Sequence, residues 1–427
     1  MTGRRPSGVA GLKTLYISYF GALKHLSQTQ VVPYLKGLAR RGIGVTFVSF
    51  EERWPDGRAE KAARDSLRDE LARAGVTWVP LRYHKRPSLP ATFWDALVAS
   101  VVSAYLVLRH SIRIVHARNH VPAVTGLLLQ LAFRRKLIFD LRGTMAEEYV
   151  DAGLWRPRGT AYRATKIVER LALRRADAVV MLTNRVRDRL VRDDRHLQRR
   201  QDKIQIIPCC VDLSHHPFPP KPGARAGLGF EGARVMVYVG SLGGWYLTDA
   251  MARLFRIGRW IEPRLRFLVL TQSPALAEAA LQREGLSSDS FRIMTVSPSE
   301  VPRHLAACDF GVCFLKPCLS KESSSPTKIG EYLASGLPIL ANRGVGDIDS
   351  LIGRGRLGVL IGNHDDTTYA SALREMLDLL EYDGEIRSRC RRAAIEEFDL
   401  SDVGIARYLS VYERLGPGFP ASTEREA

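Results

Sequence analysis

The feature that most constrains the fold is an alternation, repeated along the whole sequence, of short β-branched runs with longer amphipathic runs. Such alternation is typical of parallel sheets whose strands are joined by crossover helices. We predict strands at 13–19, 44–50, 76–81, 112–117, 136–141, 177–182 and 203–208, and again at 234–239, 267–270, 310–314, 338–341 and 357–360. The fold class is therefore α/β, with two Rossmann-like, doubly wound sheets.

One segment, 210–232, is rich in proline, histidine and glycine and separates the two series of strands, so we predict that it is a linker. A chain of 427 residues suits two domains. We expect a first domain at 1–209, a second at 233–402, a last helix at 403–416 that crosses back to the first domain, and a flexible tail at 417–427. Because ligands bind outside the carboxyl ends of such strands, a central cleft between the domains is the expected ligand site.

Positive charge is concentrated in the first half of the chain. Residues 1–210 contain 38 Lys+Arg and 18 Asp+Glu, whereas residues 211–427 contain 25 and 27. This asymmetry predicts a surface that meets an anionic partner: a nucleic acid, a negatively charged membrane leaflet or a phosphate-bearing acceptor. An arginine-rich proteome would also raise the charge, but it would not explain why the two halves differ.

The six cysteines have neither zinc-binding nor disulfide-framework spacing, so we expect no metal site and a reducing, cytoplasmic setting. No secretory signal is expected at the amino terminus.

Two apolar stretches, 97–108 and 121–133, are shorter than the roughly 18 residues of a membrane span. We predict that both are buried helices. The alternative is shallow insertion at a membrane surface, with Arg134, Arg135 and Lys136 facing the headgroups.

The most informative block runs from Ser323 to Leu340. Ser325 is expected to cap a short helix whose first residue is Pro326. Lys328 then lies in the first turn, where a cation opposes the helix dipole. A phosphate bound at this helix start would remove the conflict. The alternative is a lysine that simply points into solvent.

Glu331 follows Lys328 by three residues, on the same helix face. Its carboxylate would accept hydrogen bonds from the two hydroxyls of a ribose, although an ion pair with Lys328 is the alternative. Three glycines that follow predicted strands, Gly240, Gly344 and Gly346, would let the backbone approach a ligand or would simply form tight turns. Phosphate-binding groups beside a diol acceptor predict a nucleotide site.

In the first half, candidate polar residues also follow strands. Gly21 lies in the turn after the first strand, and His116, Arg118, His120 and Arg142 follow two later strands. Such residues tend to face the ligand cleft, and for His116 the alternative is a hydrogen-bonded structural histidine. The dinucleotide-binding and P-loop glycine motifs are both missing.

Several stretches together resemble the bacterial family 4 glycosyltransferases. They are 14–23 with 28–35, 207–212, 238–242 and, most specifically, 325–346, which contains Ser-Pro-Thr-Lys followed by Glu-Tyr-Leu-Ala-Ser-Gly-Leu-Pro. They cover nearly the full length in the expected order. The resemblance implies a GT-B fold and metal-independent transfer with retention. It also implies a nucleotide-diphosphate sugar as co-substrate, bound mainly by the second domain, and no further cofactor.

The same resemblance implies residue roles. Glu331 would hold the donor ribose, Lys328 and the backbone of Ser325, Pro326 and Thr327 the diphosphate. The remaining donor-side positions would be Gly21, Gly240, Ser241, Gly344 and Gly346, with His116 and Arg142 beside the sugar and Arg118 and His120 on the acceptor side.

The chain departs from the family's pattern at four places. Ser323 replaces a frequent glutamate near the donor sugar, and Ser241 replaces a frequent diphosphate-binding arginine. The lysine that usually follows that arginine is not evident at 243–246, and Cys210 replaces a frequent glycine.

The resemblance and the charge distribution together predict a cytoplasmic retaining glycosyltransferase, peripheral on the inner face of the cell membrane, that acts on a glycan or lipid-linked acceptor in cell-surface polysaccharide biosynthesis. Two alternatives remain: a nucleotide-sugar epimerase of the same architecture, and a non-catalytic basic module that binds nucleic acid. The basic half lacks nucleic-acid recognition motifs, so we do not expect a nucleic-acid partner.

Overall fold

The computed structural model describes residues 11–52, 57–84, 86, 88–220, 223 and 225–416. They form two compact units. The first holds the described residues up to Ile207 and again from Gly404, and the second is Pro208–Val403. The expected flexible tail, 417–427, lies outside the described residues.

The first unit is built on a seven-stranded parallel sheet in the order β3-β2-β1-β4-β5-β6-β7. Its strands are β1 (Lys13–Ser18), β2 (Gly44–Glu51), β3 (Val76–Arg82), β4 (Ile114–Arg118), β5 (Lys136–Leu141), β6 (Ala178–Met181) and β7 (Ile204–Ile206). All seven predicted strands are confirmed. The order reverses between β1 and β4, where Tyr16 pairs with His116.

Crossover helices connect these strands. They are α1 (His25–Gln30), α2 (Val32–Arg40), α3 (Arg58–Arg73), α4 (Ser88–Arg109), α5 (His120–Phe133), α6 (Met145–Asp151), α7 (Thr160–Arg175), α8 (Asn184–Asp193) and α9 (Arg195–Arg199). Leu15 and Ile17 of β1 are buried in one core with the inner residues of α4, α5 and α7.

The second unit repeats the plan with six parallel strands in the order β10-β9-β8-β11-β12-β13. They are β8 (Arg234–Val239), β9 (Leu265–Leu270), β10 (Phe291–Met294), β11 (Phe310–Cys313), β12 (Ile339–Asn342) and β13 (Gly358–Ile361). Five were predicted. The sixth, β10, is an edge strand whose second residue is an exposed arginine, so it does not form an apolar run.

The helices of the second unit are α10 (Thr248–Ile261), α11 (Pro274–Arg283), α12 (Val301–Leu305), α13 (Thr327–Ala334), α14 (Ile348–Gly355), α15 (Asp366–Tyr382) and α16 (Ile386–Phe398). Alternate residues of β8 enter two different cores: Val235 and Val237 lie in one, and Met236 and Tyr238 in the other. Both faces of this sheet are therefore covered, as in a doubly wound fold.

The predicted linker does not behave as a free connector in its described part. Val211, Leu213, Leu228 and Phe230 are buried in the core that also holds Val235. Apolar residues scattered among the prolines and glycines give this segment a packed position in the second unit, which begins at Pro208.

The last helix, α17 (Ala406–Leu415), lies in the first unit. It contributes two buried tyrosines, Tyr408 and Tyr412, and the Tyr412 hydroxyl lies 3.3 Å from the Thr14 hydroxyl of β1.

Helix α4 differs from its prediction in two respects. Its apolar part extends over Pro90–Arg109, so by length and composition it is long enough to cross a membrane, and only a third of it is buried. The predictions of a shorter stretch and of a buried helix are wrong here, because hydrophobic content alone does not show which side of a helix faces the sheet.

Candidate active site

Helix α13 begins differently from its prediction. It starts at Thr327, with Pro326 in the N-cap position and no side-chain cap. The Ser325 hydroxyl instead accepts a hydrogen bond from the Cys209 backbone N–H at 3.1 Å. The prediction that Ser325 caps this helix is therefore wrong, because a contact distant in sequence has taken its oxygen.

Tyr332 fixes the position of α13 on the sheet. Its hydroxyl accepts a hydrogen bond from Val239 N–H at 3.0 Å and donates to the Val312 carbonyl at 3.2 Å. Its ring covers Gly311, where a Cβ would come within 2.4 Å of the ring. The start of α13 is thereby held at β8 and β11, the pair of strands at which the sheet order reverses and ligands bind in such folds.

Lys328 carries the charge at this point. Its side chain is buried, with 5% of the residue exposed, so the interpretation as a solvent-exposed lysine is wrong. The ammonium lies 3.8 Å from the Tyr238 ring centroid and 4.2 Å from that of Tyr246. Within the described chain its Nζ has no hydrogen-bond partner. The two rings favour a cation but use none of its N–H donors.

Gly240 lets the backbone approach this ammonium. Its φ of +121° is in the left-handed region, and a Cβ there would lie 3.2 Å from Lys328 Nζ. The next residue, Ser241, accepts a hydrogen bond from the Tyr238 hydroxyl through its carbonyl. The Gly240 backbone and the Tyr238 ring therefore both lie close to the Lys328 ammonium at the end of β8.

Lys328 and Glu331 both have shifted pKa values. Burial lowers the pKa of Lys328 to about 8. Burial also raises the pKa of Glu331 to about 7, although the nearby Lys328 ammonium opposes that shift. No nitrogen–oxygen contact within 4 Å joins the two among the described residues, so the ion-pair alternative is wrong. An anion close to this buried ammonium would stabilise its charged form.

The second glycine turn is attached to the same region. Gly344 has φ +91° and donates its N–H to Asp349 at 3.1 Å. Gly346 donates its N–H to the Lys321 carbonyl at 2.9 Å. The turn is therefore held against the segment that precedes α13.

Sequence reasoning missed three aromatic residues and one lysine of this region. Tyr238 and Tyr246 enclose Lys328, and the Lys321 ammonium lies 4.1 Å from the Trp245 ring centroid. Tyr238 looks like an ordinary core residue of a strand. The adjacent pair Trp245-Tyr246, directly after two glycines in a loop, was the one available signal.

The candidates of the first unit surround Asp140, which is fully buried. Its carboxylate accepts a hydrogen bond from Tyr408 at 3.0 Å and lies 3.4 Å from His116, 3.5 Å from Arg118 and 3.8 Å from Arg142. Burial raises the pKa of Asp140, but Arg142, His116 and Arg118 hold it at about 2. The carboxylate is thus ionised and compensated by protein groups.

His116 and His120 are both interior residues. The His116 Nδ1 lies 2.8 Å from the Tyr412 hydroxyl, and burial lowers the pKa of this histidine despite the neighbouring Asp140. The His120 Nε2 lies 2.9 Å from the Glu169 carboxylate. The geometry is that of hydrogen-bonded structural histidines, and a role for either on the sugar or acceptor side stays a prediction.

Gly21 lies apart from that cluster, after the carboxyl end of β1. A Cβ at this position would come 2.7 Å from Glu51 Oε2, and the next residue, Ala22, donates its N–H to Glu51 Oε1 at 2.7 Å. The loop therefore needs glycine at this point for close approach to a buried carboxylate.

The structure thus collects the predicted residues into groups. In the second unit, Lys328 contacts Gly240 and lies one helical turn from Glu331. In the first unit, Arg118, Arg142 and His116 surround Asp140, whereas His120 and Gly21 have separate partners. Among the residues that the structure describes, no three His, Cys, Asp or Glu side chains come together as metal ligands.

Comparison with protein families gives two matches. Residues 27–210 match a glycosyl transferase 4-like domain, and residues 233–379 match the glycosyl transferases group 1 model. No curated protein matches the sequence.

Solved structures share the architecture at low sequence identity. A glycosyltransferase from Rickettsia africae aligns with TM-score 0.69 and 14% identity over 95% of this chain and 99% of its own. Anabaena HepE, in complex with UDP and glucose, aligns with TM-score 0.66 and 16% identity over 93% and 99%. WaaG, a glycosyltransferase involved in lipopolysaccharide biosynthesis, aligns with TM-score 0.62 and 14% identity over 95% and 100%. With both halves matched, this chain belongs to the family 4-type glycosyltransferases and has the GT-B fold.

Proposed function

We propose that this glycosyltransferase takes its sugar from a nucleoside-diphosphate sugar held at Lys328. The observation that carries the proposal is the buried Lys328 ammonium, which lies against two tyrosine rings near the carboxyl end of β8 and has no hydrogen-bond partner in the part of the chain that the structure describes. A diphosphate offers both the negative charge and the acceptor oxygens that this ammonium lacks. The complex of HepE with UDP and glucose supports this class of donor.

The position of the Lys328 ammonium indicates how it would assist departure of the diphosphate. As the bond between the sugar anomeric carbon and the diphosphate breaks, negative charge grows on the leaving group. Lys328 and the positive end of the α13 helix dipole would stabilise that charge, without a need for a metal ion. Glu331, three residues further along the helix, would accept hydrogen bonds from the donor ribose.

We infer retention at the anomeric carbon from the resemblance to family 4. The acceptor hydroxyl would then attack from the face that the diphosphate leaves. We assign no enzymic nucleophile, and His116 and Arg142 keep the expected role beside the sugar only as part of this proposal.

The proposed acceptor is a glycan or a lipid-linked saccharide at the inner face of the cell membrane, in cell-surface polysaccharide biosynthesis. The positive charge of residues 1–210 suits a phosphate-bearing acceptor and an anionic leaflet. The likeness to WaaG supports this context.

Calorimetry with uridine, guanosine, adenosine and thymidine diphosphates tests the donor site directly. Lys328→Ala is expected to weaken binding of the preferred diphosphate at least tenfold. Lys316→Ala is the matched control, because Lys316 is an exposed lysine of the same unit, and its variant is expected to bind like the parent. Unchanged affinity in Lys328→Ala would overturn the assignment.

Product analysis tests the reaction. Incubation with the matching nucleotide sugar and a lipid-linked acceptor is expected to give a glycoside whose anomeric configuration, read by NMR, equals that of the donor. Isomerised nucleotide sugar formed without any acceptor would instead indicate an epimerase.

A further inference from the structure

Helix α4 presents an exposed apolar stripe along its outer side. The stripe consists of Trp94, Leu97, Val101, Tyr105 and Leu108, which are between 46% and 64% exposed. Their spacings of three and four residues place them on one helix face. Soluble surfaces rarely carry so many large apolar side chains in a row, so the α4 stripe indicates a docking surface.

The opposite side of α4 is fixed in the first unit. Leu106 and Val107 are buried in the core of the sheet. Near the amino end, the buried Asp95 carboxylate accepts hydrogen bonds from the Tyr19 hydroxyl at 2.9 Å and from the His84 N–H at 3.1 Å. Crossing a bilayer would break all of these contacts, so a membrane partner would meet α4 lying on the surface.

The neighbouring helix extends the apolar surface. Ser100 of α4 lies 3.1 Å from Thr125 of α5, hydroxyl to hydroxyl, and the two helices pack side by side. Near its carboxyl end, α5 exposes Leu128 and Leu131.

Within the segment that forms α4 and α5, the charged residues are almost all basic. Residues 88–136 contain six Lys+Arg and a single acidic residue, the buried Asp95. Arg109, Arg113 and Arg134 are exposed at the carboxyl ends of α4 and α5, and none is ion-paired with a described carboxylate. The Lys136 N–H donates to the Arg113 carbonyl at 3.0 Å, so the two helix ends lie near each other at the amino ends of β4 and β5.

Apolar and aromatic side chains bordered by unpaired arginines match the boundary between acyl chains and anionic headgroups. A second copy of the same face would bring like charges together, which disfavours self-association. We propose that the α4 stripe lies in the headgroup–acyl boundary of an anionic bilayer, with Arg109, Arg113 and Arg134 contacting lipid phosphates. The α4 stripe would then be the surface through which the protein associates with the membrane. The choice of the inner leaflet rests on the proposed function.

Co-sedimentation of the full chain with phosphatidylcholine vesicles, with and without 30% phosphatidylglycerol, tests this surface without any donor. The parent is expected to bind the anionic vesicles at least tenfold more tightly than the neutral ones. Val101→Asp with Tyr105→Asp is expected to lose at least tenfold in vesicle affinity. Trp260→Asp is the matched control, because Trp260 is 87% exposed in the second unit, and it is expected to bind like the parent.

A second measurement locates the contact. Acyl chains brominated near the headgroup are expected to quench the fluorescence of Trp94, and Trp94→Phe is expected to remove most of the quenching. Unchanged vesicle binding in the double variant, or quenching that survives Trp94→Phe, would overturn the proposal. A dimer that the same double variant dissociates in analytical ultracentrifugation would overturn it in favour of a second copy.

The donor-site proposal and the membrane-surface proposal can be refuted independently of each other. The double variant is expected to bind nucleoside diphosphate like the parent, which also shows that it is folded. Lys328→Ala is expected to bind vesicles like the parent. Loss of vesicle binding in the parent therefore refutes the membrane surface alone, and loss of nucleotide binding in the parent refutes the donor site alone.

Discussion

The two units each bury a charge near the carboxyl ends of their central strands, but they treat it differently. In the first unit, Asp140 is surrounded by His116, Arg118 and a tyrosine hydroxyl. In the second, Lys328 lies against two aromatic rings and the Gly240 backbone, and it has no hydrogen-bonding partner among the described residues. A compensated charge stabilises the fold in which it lies, whereas an uncompensated one favours an external anion.

The largest effect is expected from removing the compensated carboxylate. Asp140→Ala would leave two arginines without their counter-charge and His116 without its neighbouring carboxylate, and breaking such a buried network costs about 3–5 kcal/mol. Urea unfolding, followed through hydrogen exchange in β5, would measure this loss. Asp378→Ala, at an exposed position of α15, should change stability by less than about 0.5 kcal/mol.

Lys328→Met gives the matching test in the second unit. It replaces an unpartnered buried cation with an apolar chain of similar length, so stability is not expected to fall. A loss as large as that of Asp140→Ala would show that the ammonium is structural and would remove the contrast between the units.

The next effect concerns the ribose. Glu331→Gln is expected to reduce discrimination between ribose and deoxyribose diphosphates by about tenfold, because hydrogen bonds to a charged group contribute roughly 1.5–3 kcal/mol. Calorimetry with paired nucleotides measures the ratio. Equal discrimination in variant and parent would count against a ribose contact.

Affinity for nucleoside diphosphate is expected to depend on pH. Burial lowers the pKa of Lys328 to about 8, so the protonated, binding form is lost as pH rises through that value, and affinity should fall by at most about tenfold per unit above it. A bound diphosphate favours the protonated Lys328 amine, so binding above pH 8 should be accompanied by uptake of a proton. Calorimetry in buffers that differ in ionisation enthalpy measures this uptake. A flat profile between pH 7 and 9.5 would contradict this.

The smallest effect is expected at Tyr412. Tyr412→Phe removes the hydroxyl that bonds His116, at a cost of about 1 kcal/mol in unfolding free energy, and leaves the Asp140 ion pairs in place. Equilibrium unfolding measures it. A loss comparable to that of Asp140→Ala would mean that the helix α17 contact, not the charge network, dominates the first unit.

Hydrophobic periodicity was enough to predict twelve of the thirteen strands in the described residues, because most of those strands form largely buried apolar runs flanked by loops. It failed at β10, a four-residue edge strand with an exposed arginine at its second position. It also failed at α4, where an apolar composition looked like burial but one face remains exposed.

The candidate site was predicted only in part. Lys328 and Glu331 stand three residues apart in one helix, so local sequence places them together. Tyr238 lies 90 positions before Lys328, and no local pattern links the two. The same limit explains why the capping prediction for Ser325 was wrong. The local sequence favours a helix cap, but the Ser325 hydroxyl accepts a hydrogen bond from the Cys209 N–H, 116 residues away in the sequence.

Helix α17 has a consequence for synthesis on the ribosome. The second unit is one continuous segment, Pro208–Val403, whereas the first receives Tyr408 and Tyr412 from residues that are translated after the second unit. In the nascent amino-terminal half, Asp140 therefore lacks its tyrosine partner until the second unit has been made. Translation through residue 412, rather than emergence of residue 207, is the event that lets the first unit complete this contact.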